Sequence, residues 1–175
     1  MTIGESSKIR VGKLIYQDAM HVISVCENTV LTYSSDAPNP RFLEVWAETV
    51  QLVADQFSDG LLAMTLIDPQ ARPPEDPARV QIRNTVLRHA ADINAFAYVV
   101  EGEGFGAAAV RGALSLISLA ARYPFPMKVF ARVEDAAPWL LSRRKRAAAH
   151  AEDATRLVHI ANSLRGQRRA ISATG

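Results

Sequence analysis

The chain has 175 residues, 49% hydrophobic and 22% charged, which is ordinary for a folded domain and excludes global disorder. Its one cysteine, Cys26, excludes an intrachain disulfide and a Cys-rich zinc site. The formal charge of +2 hides an asymmetry: residues 1–141 carry 12 Lys/Arg against 16 Asp/Glu, a balance of −4, and residues 142–175 carry 8 against 2, a balance of +6.

That division predicts an α/β domain over 1–141 and a basic helical tail over 142–175, frayed from Gln167 onward. The polar first ten residues lack the apolar stretch of a secretory signal, and no apolar run approaches the ~20 residues of a membrane span. A cytoplasmic protein is expected.

A first strand is expected within Lys8–Tyr16. His21–Cys26 and Thr29–Tyr33 are β-branched, alternating runs separated by Glu27-Asn28, which reads as a hairpin. Asn39-Pro40 is a helix start, since Asn caps the first amides and Pro at the first helical position loses no bond. Phe42, Trp46, Val50, Val53 and Phe57 then form one apolar stripe, and Asp59-Gly60 ends the helix.

Leu61–Ile67 is a continuous apolar run, as expected of a parallel strand covered on both faces. A proline-rich loop, Asp68–Glu75, leads to Asp76-Pro77, a second cap-plus-proline start, with a helix to about Ala90 that buries Val80, Ile82, Val86 and Leu87. Ala95–Val100 is the next buried strand, Glu101–Gly106 a glycine-rich turn, and Ala107–Arg122 a helix that buries Val110, Leu114 and Ile117. Pro124 and Pro126 break that helix, Met127–Ala131 is a short strand, and Glu134-Asp135 opens another helix with Pro138 in its first turn. The Ala-rich tail is expected to be helical to Ser163 or Leu164 and to stop at Gly166. The order is that of an antiparallel hairpin joined to parallel β-α-β units: a mixed β-sheet flanked by helices, with a C-terminal helical extension.

From about His21 to Leu140 the chain resembles the SpoIIAA-like, or STAS-like, domain family, whose founding members are bacterial anti-sigma-factor antagonists and whose fold is grouped with CRAL-TRIO-like lipid-binding domains. The phrase that carries the resemblance is Pro126-Met127-Lys128-Val129-Phe130-Ala131-Arg132-Val133-Glu134-Asp135-Ala136-Ala137-Pro138-Trp139-Leu140, in which Pro138 departs from an Ala-rich pattern. The resemblance implies frequent homodimers, regulatory protein partners and no enzymatic activity. It also implies a phosphorylatable Ser or Thr at the helix start after the third strand. The corresponding stretch, Asp68–Arg83, has no Ser, Thr or Tyr, and the first hydroxyl is Thr85. Asp76 would place a permanent negative charge at that helix start; as a cap it has a purely structural reading.

Candidate chemistry is sparse. Gly102-Glu103-Gly104-Phe105-Gly106 is neither a dinucleotide nor a phosphate-loop spacing, and Glu101 and Glu103 would repel a phosphate, so a packed turn or a mobile lid over a pocket remain. His150 and His159, nine residues apart, face opposite sides of a helix, and neither H-E-x-x-H, C-x-x-C nor G-x-S-x-G occurs. Neither a catalytic residue, a metal site nor a cofactor is therefore expected. The tail run Arg143-Arg144-Lys145-Arg146, with Arg156, Arg165, Arg168 and Arg169, is either a solvated face or a contact to an anionic surface. No aromatic interleaves with these charges, which disfavours nucleic acid. The tail's apolar side, including Leu157, Val158 and Leu164, must pack on this domain or on a symmetry mate.

The leading expectation is a non-enzymatic, homodimeric binding module, with ligand or partner contacts at Asp68, Asp76, Glu101, Gly102, Gly104, Phe105, Arg143, Arg144 and Arg146. The alternative is a small hydrophobic-ligand domain, its pocket under the Gly102–Gly106 turn and the Asp68–Glu75 loop.

Overall fold

Six strands form one sheet in sequential order: β1 (Lys13–Gln17), β2 (His21–Cys26), β3 (Thr29–Ser34), β4 (Leu61–Ile67), β5 (Ile93–Val100) and β6 (Met127–Phe130). The computed structural model describes residues 12–145 and 151–172, without the side chains of 151 and 167–172. Residues 8–11 of the expected first strand, Arg146 and His150 therefore lie outside the described residues.

β1, β2 and β3 pair antiparallel, and β3 to β6 run parallel. Glu27 takes a left-handed conformation (φ 53°) to close the β2–β3 hairpin, and Asn28 braces it by donating from Nδ2 to the Gly60 carbonyl at 3.0 Å. Helices α1 (Pro40–Gln56), α2 (Asp76–Arg88) and α3 (Phe105–Ala121) fill the three parallel crossovers, and α4 (Val133–Leu141) and α5 (Ala151–Ser172) follow.

Two cores result from the alternation of side chains across the sheet. On one face Ile23, Val25, Val30, Leu61, Ala63 and Phe96 pack against Phe42, Trp46, Val50 and Val53 of α1 and Val86 of α2. On the other, Val22, Leu31, Leu62, Met64, Ala97 and Val99 meet Val133, Ala137 and Leu140 of α4 and Leu157, Ile160, Ala161 and Leu164 of α5. The tail thus docks on its own chain, over α4, β2 and β3.

Asn39 caps α1 as expected, its Oδ1 accepting from the Phe42 amide at 2.8 Å. Four expectations are corrected. Glu75, not Asp76, occupies the cap position of α2, with no side-chain cap bond; Asp76 is the first helical residue and pairs with Arg79 at 3.2 Å. Val80 is 59% exposed, because α2 buries only its Thr85–Val86 end. Pro138 sits in the second turn of α4, where Ala136, Ala137 and Leu140 anchor the helix in spite of the lost bond. α5 runs through Gly166: a helix-interior glycine costs only ~1 kcal/mol relative to Ala, and buried Leu164 holds the turn before it.

Candidate functional site

The loops at the carboxyl ends of β4 and β5 hold Asp68, Glu101, Gly102 and Gly104, and Asp76 and Phe105 open the helices that follow; most of the six are engaged within the chain. Asp68 accepts from the Tyr33 hydroxyl at 3.0 Å and from the Gln70 amide at 2.9 Å, which fixes the start of its loop. Asp36 and Arg72 tie that loop to the segment after β3, the Arg72 Nε donating at 3.0 Å; this guanidinium holds the Asp36 carboxyl down at about 2. Glu101 caps α4 by accepting from the Val133 amide at 3.3 Å, and its other oxygen pairs with Arg165 of α5 at 2.7 Å. Gly102 has φ 120°, and a Cβ there would lie 3.4 Å from the Ala107 Cβ and 3.7 Å from the Pro69 Cγ. The glycine turn and the proline-rich loop therefore touch at the place where a pocket was expected. A groove of about 390 Å³ opens elsewhere, between α1 and α2, lined by Leu43, Ala47, Val80 and Thr85 among others.

Among the described residues, Arg144, Arg156 and Arg165 of the basic tail form internal ion pairs. Arg144 pairs with Glu27 at 3.0 Å and Asp153 at 3.4 Å, and Arg156 reaches Glu27 at 3.1 Å, so the β2–β3 turn is clamped to the start of α5. Arg143 lies over the Trp139 ring at 5.4 Å.

A polar cluster that the sequence reading passed over sits at the head of β2. Asp18 accepts from the Met20 and His21 amides, both at 2.7 Å, from the Tyr16 hydroxyl at 2.7 Å and from Asn39 Nδ2 at 3.1 Å, with His21 Nδ1 at 3.1 Å. Burial pushes the Asp18 carboxyl up, but these bonds prevail and hold it down at about 2. His21 is 1% exposed, packs its ring at a tilt against Phe42 with ring centroids 4.6 Å apart, and stands opposite Ser34 across the strand pair. Its Nε2 and the Ser34 hydroxyl have no hydrogen-bond partner among the described residues. An acid, an imidazole and a hydroxyl thus converge, but the ring and the hydroxyl are sealed in the core and present no exposed nucleophile. The Asp-x-x-His spacing ahead of a strand was the legible signal for this turn. Burial, then the Glu27 charge, pushes the Cys26 thiol up to about 11, which keeps it protonated.

The remaining feature is α3. Its inner side, Ala107, Val110, Leu114 and Ala121, rests on β5 and β6. β6 is a four-residue edge strand, so the helix overhangs the sheet margin and half its circumference faces outward. That outer half is apolar: Phe105 is 91% exposed, Leu116 70% and Leu119 77%, with Ile117 exposed beside them. The expected burial of Ile117 is corrected accordingly. The helix's one charged residue, Arg111, turns back to donate to the Val100 carbonyl at 2.9 Å and the Gly102 carbonyl at 3.1 Å. Gly104 (φ 90°) supplies the left-handed entry to α3, leaving Phe105 at the tip.

No family model, curated protein or solved structure matches the chain.

Among the described residues, no helix is long and apolar enough to cross a membrane, and no three His, Cys, Asp or Glu side chains gather as a metal site.

Proposed function

We propose that the chain is a non-enzymatic binding module of STAS-like design that works through protein contacts made by the outer face of α3. The observation that carries this reading is the exposure of Phe105, Leu116 and Leu119 on a helix with no outward charge. A helix that is apolar all round is normally buried, and a contiguous exposed apolar patch marks a surface that meets something. The position of the expected contact residues fits: Phe105 opens this face, and Gly102 and Gly104 shape the turn that presents it. The STAS-like part of the reading is supported by the sequential β-α order and by the Met127–Leu141 stretch, which folds as a short strand leading into a helix.

The test is a double substitution, Leu116→Glu with Leu119→Glu. Both side chains are exposed, so folding stability should change by less than ~0.5 kcal/mol. In extracts of cells expressing the full chain, the wild type should elute within a larger assembly and the variant as a free chain. Identical elution of the two would overturn the proposal.

A further inference from the structure

We propose that the partner of the α3 face is a second copy of this chain, laid antiparallel across it; this deepens, and rests on, the interaction reading above. The outward stripe is Phe105, Ala109, Gly112, Leu116 and Leu119, a four-three-four-three spacing. That is the periodicity by which two helices interlock side by side. The stripe is close to self-complementary about its midpoint, its members lying 7 and 3 residues before Gly112 and 4 and 7 after it. With a two-fold axis at Gly112, Phe105 faces Leu119 of the second copy, the two Gly112 residues meet at the crossing, and Ala109 and Leu116 approach one another one residue out of exact register.

Gly112 is compatible with such a crossing, in open surroundings that Gly106 and Gly166 share. A Cβ built at Gly112 meets nothing within 4 Å, so the chain's own packing does not require glycine. Glycine inside a helix costs about 1 kcal/mol relative to Ala, and the fold offers no return for it. Close approach of a second backbone does.

Charge fixes the direction. Glu103 and Arg122 flank the apolar stripe, both are exposed, and neither forms an ion pair among the described residues. A parallel arrangement would set Glu103 against Glu103. The antiparallel one sets Glu103 beside Arg122 of the second copy at both ends, and opposes the two helix dipoles favourably.

Sedimentation velocity of the full chain, from about 1 to 100 µM, reads the outcome, a range suited to the weak association expected of an interface smaller than the standard size. The wild type should dimerise reversibly. Gly112→Leu should stay folded by circular dichroism and thermal unfolding, yet weaken the dimer more than about tenfold by blocking the crossing. Glu103→Arg and Arg122→Glu should each weaken it, and the double reversal should restore it. A wild type that is monomeric at the highest concentration overturns the proposal, as does a dimer indifferent to both Gly112→Leu and the charge reversals. Co-sedimentation of a monomer with phosphatidylcholine vesicles also overturns it, in favour of a lipid surface. If the pure chain is monomeric while Leu116→Glu with Leu119→Glu still dissolves an assembly in extracts, only self-pairing falls. If neither responds, the interaction reading falls too.

Discussion

Asp18 holds the entry to β2 with one side chain, accepting from two amides, a phenol and an amide side chain. Its folded-state acidity lies near 2, below the ordinary 3.8, so it adds stability that is full above about pH 4 and fades as pH falls toward 2. Asp18→Asn should cost about 1–3 kcal/mol at neutral pH and flatten acid unfolding below pH 4, as measured by urea titration at several pH values. His89 works in another window. Burial against Trp46 holds its imidazole below the ordinary 6.5, and Arg88 adds to this while Asp92 opposes it. The unfolded chain then binds the proton more readily, so stability should decline as pH drops below about 6.5. In His89→Gln, the loss between pH 7 and 5 should be smaller than in the wild type.

At the scale of the element, α5 is a structural wall. Leu157, Ile160 and Leu164 cover the Val22–Leu31 side of the sheet. Leu164→Ala should cost about 2–5 kcal/mol in chemical unfolding, as for other large-to-small core changes; a loss under 1 kcal/mol would mean that the helix is not seated. The elements were legible to very different degrees. Asn39-Pro40, the β2–β3 hairpin and the Leu61–Ile67 run announce themselves through capping, alternation and unbroken apolarity, signals that act over a few residues. The basic run did not announce its use, because Arg144 meets Glu27 across 117 positions and only the fold brings them together. α3 misled for a related reason. Its sequence has the apolar content of a core helix, and nothing local says that β6 is too short and too marginal to cover it.

The whole molecule divides its charge to a purpose. Glu27 and Glu101 of the acidic body receive Arg144, Arg156 and Arg165 of the tail, and Asp153 within the tail joins Arg144, so ion pairs help to seat the tail on the body. Such pairs weaken with salt, and added salt should lower the thermal midpoint of the wild type more than that of Glu27→Gln. The outward side of α3, with Phe105 at its tip, stays uncovered. A photo-reactive residue in place of Leu116, with one at exposed Gln51 on α1 as the control, probes that side directly in living cells. Irradiation should join position 116, but not position 51, to another polypeptide in high yield. Equal or absent coupling at the two positions would contradict the assignment of α3 as the surface through which this protein acts.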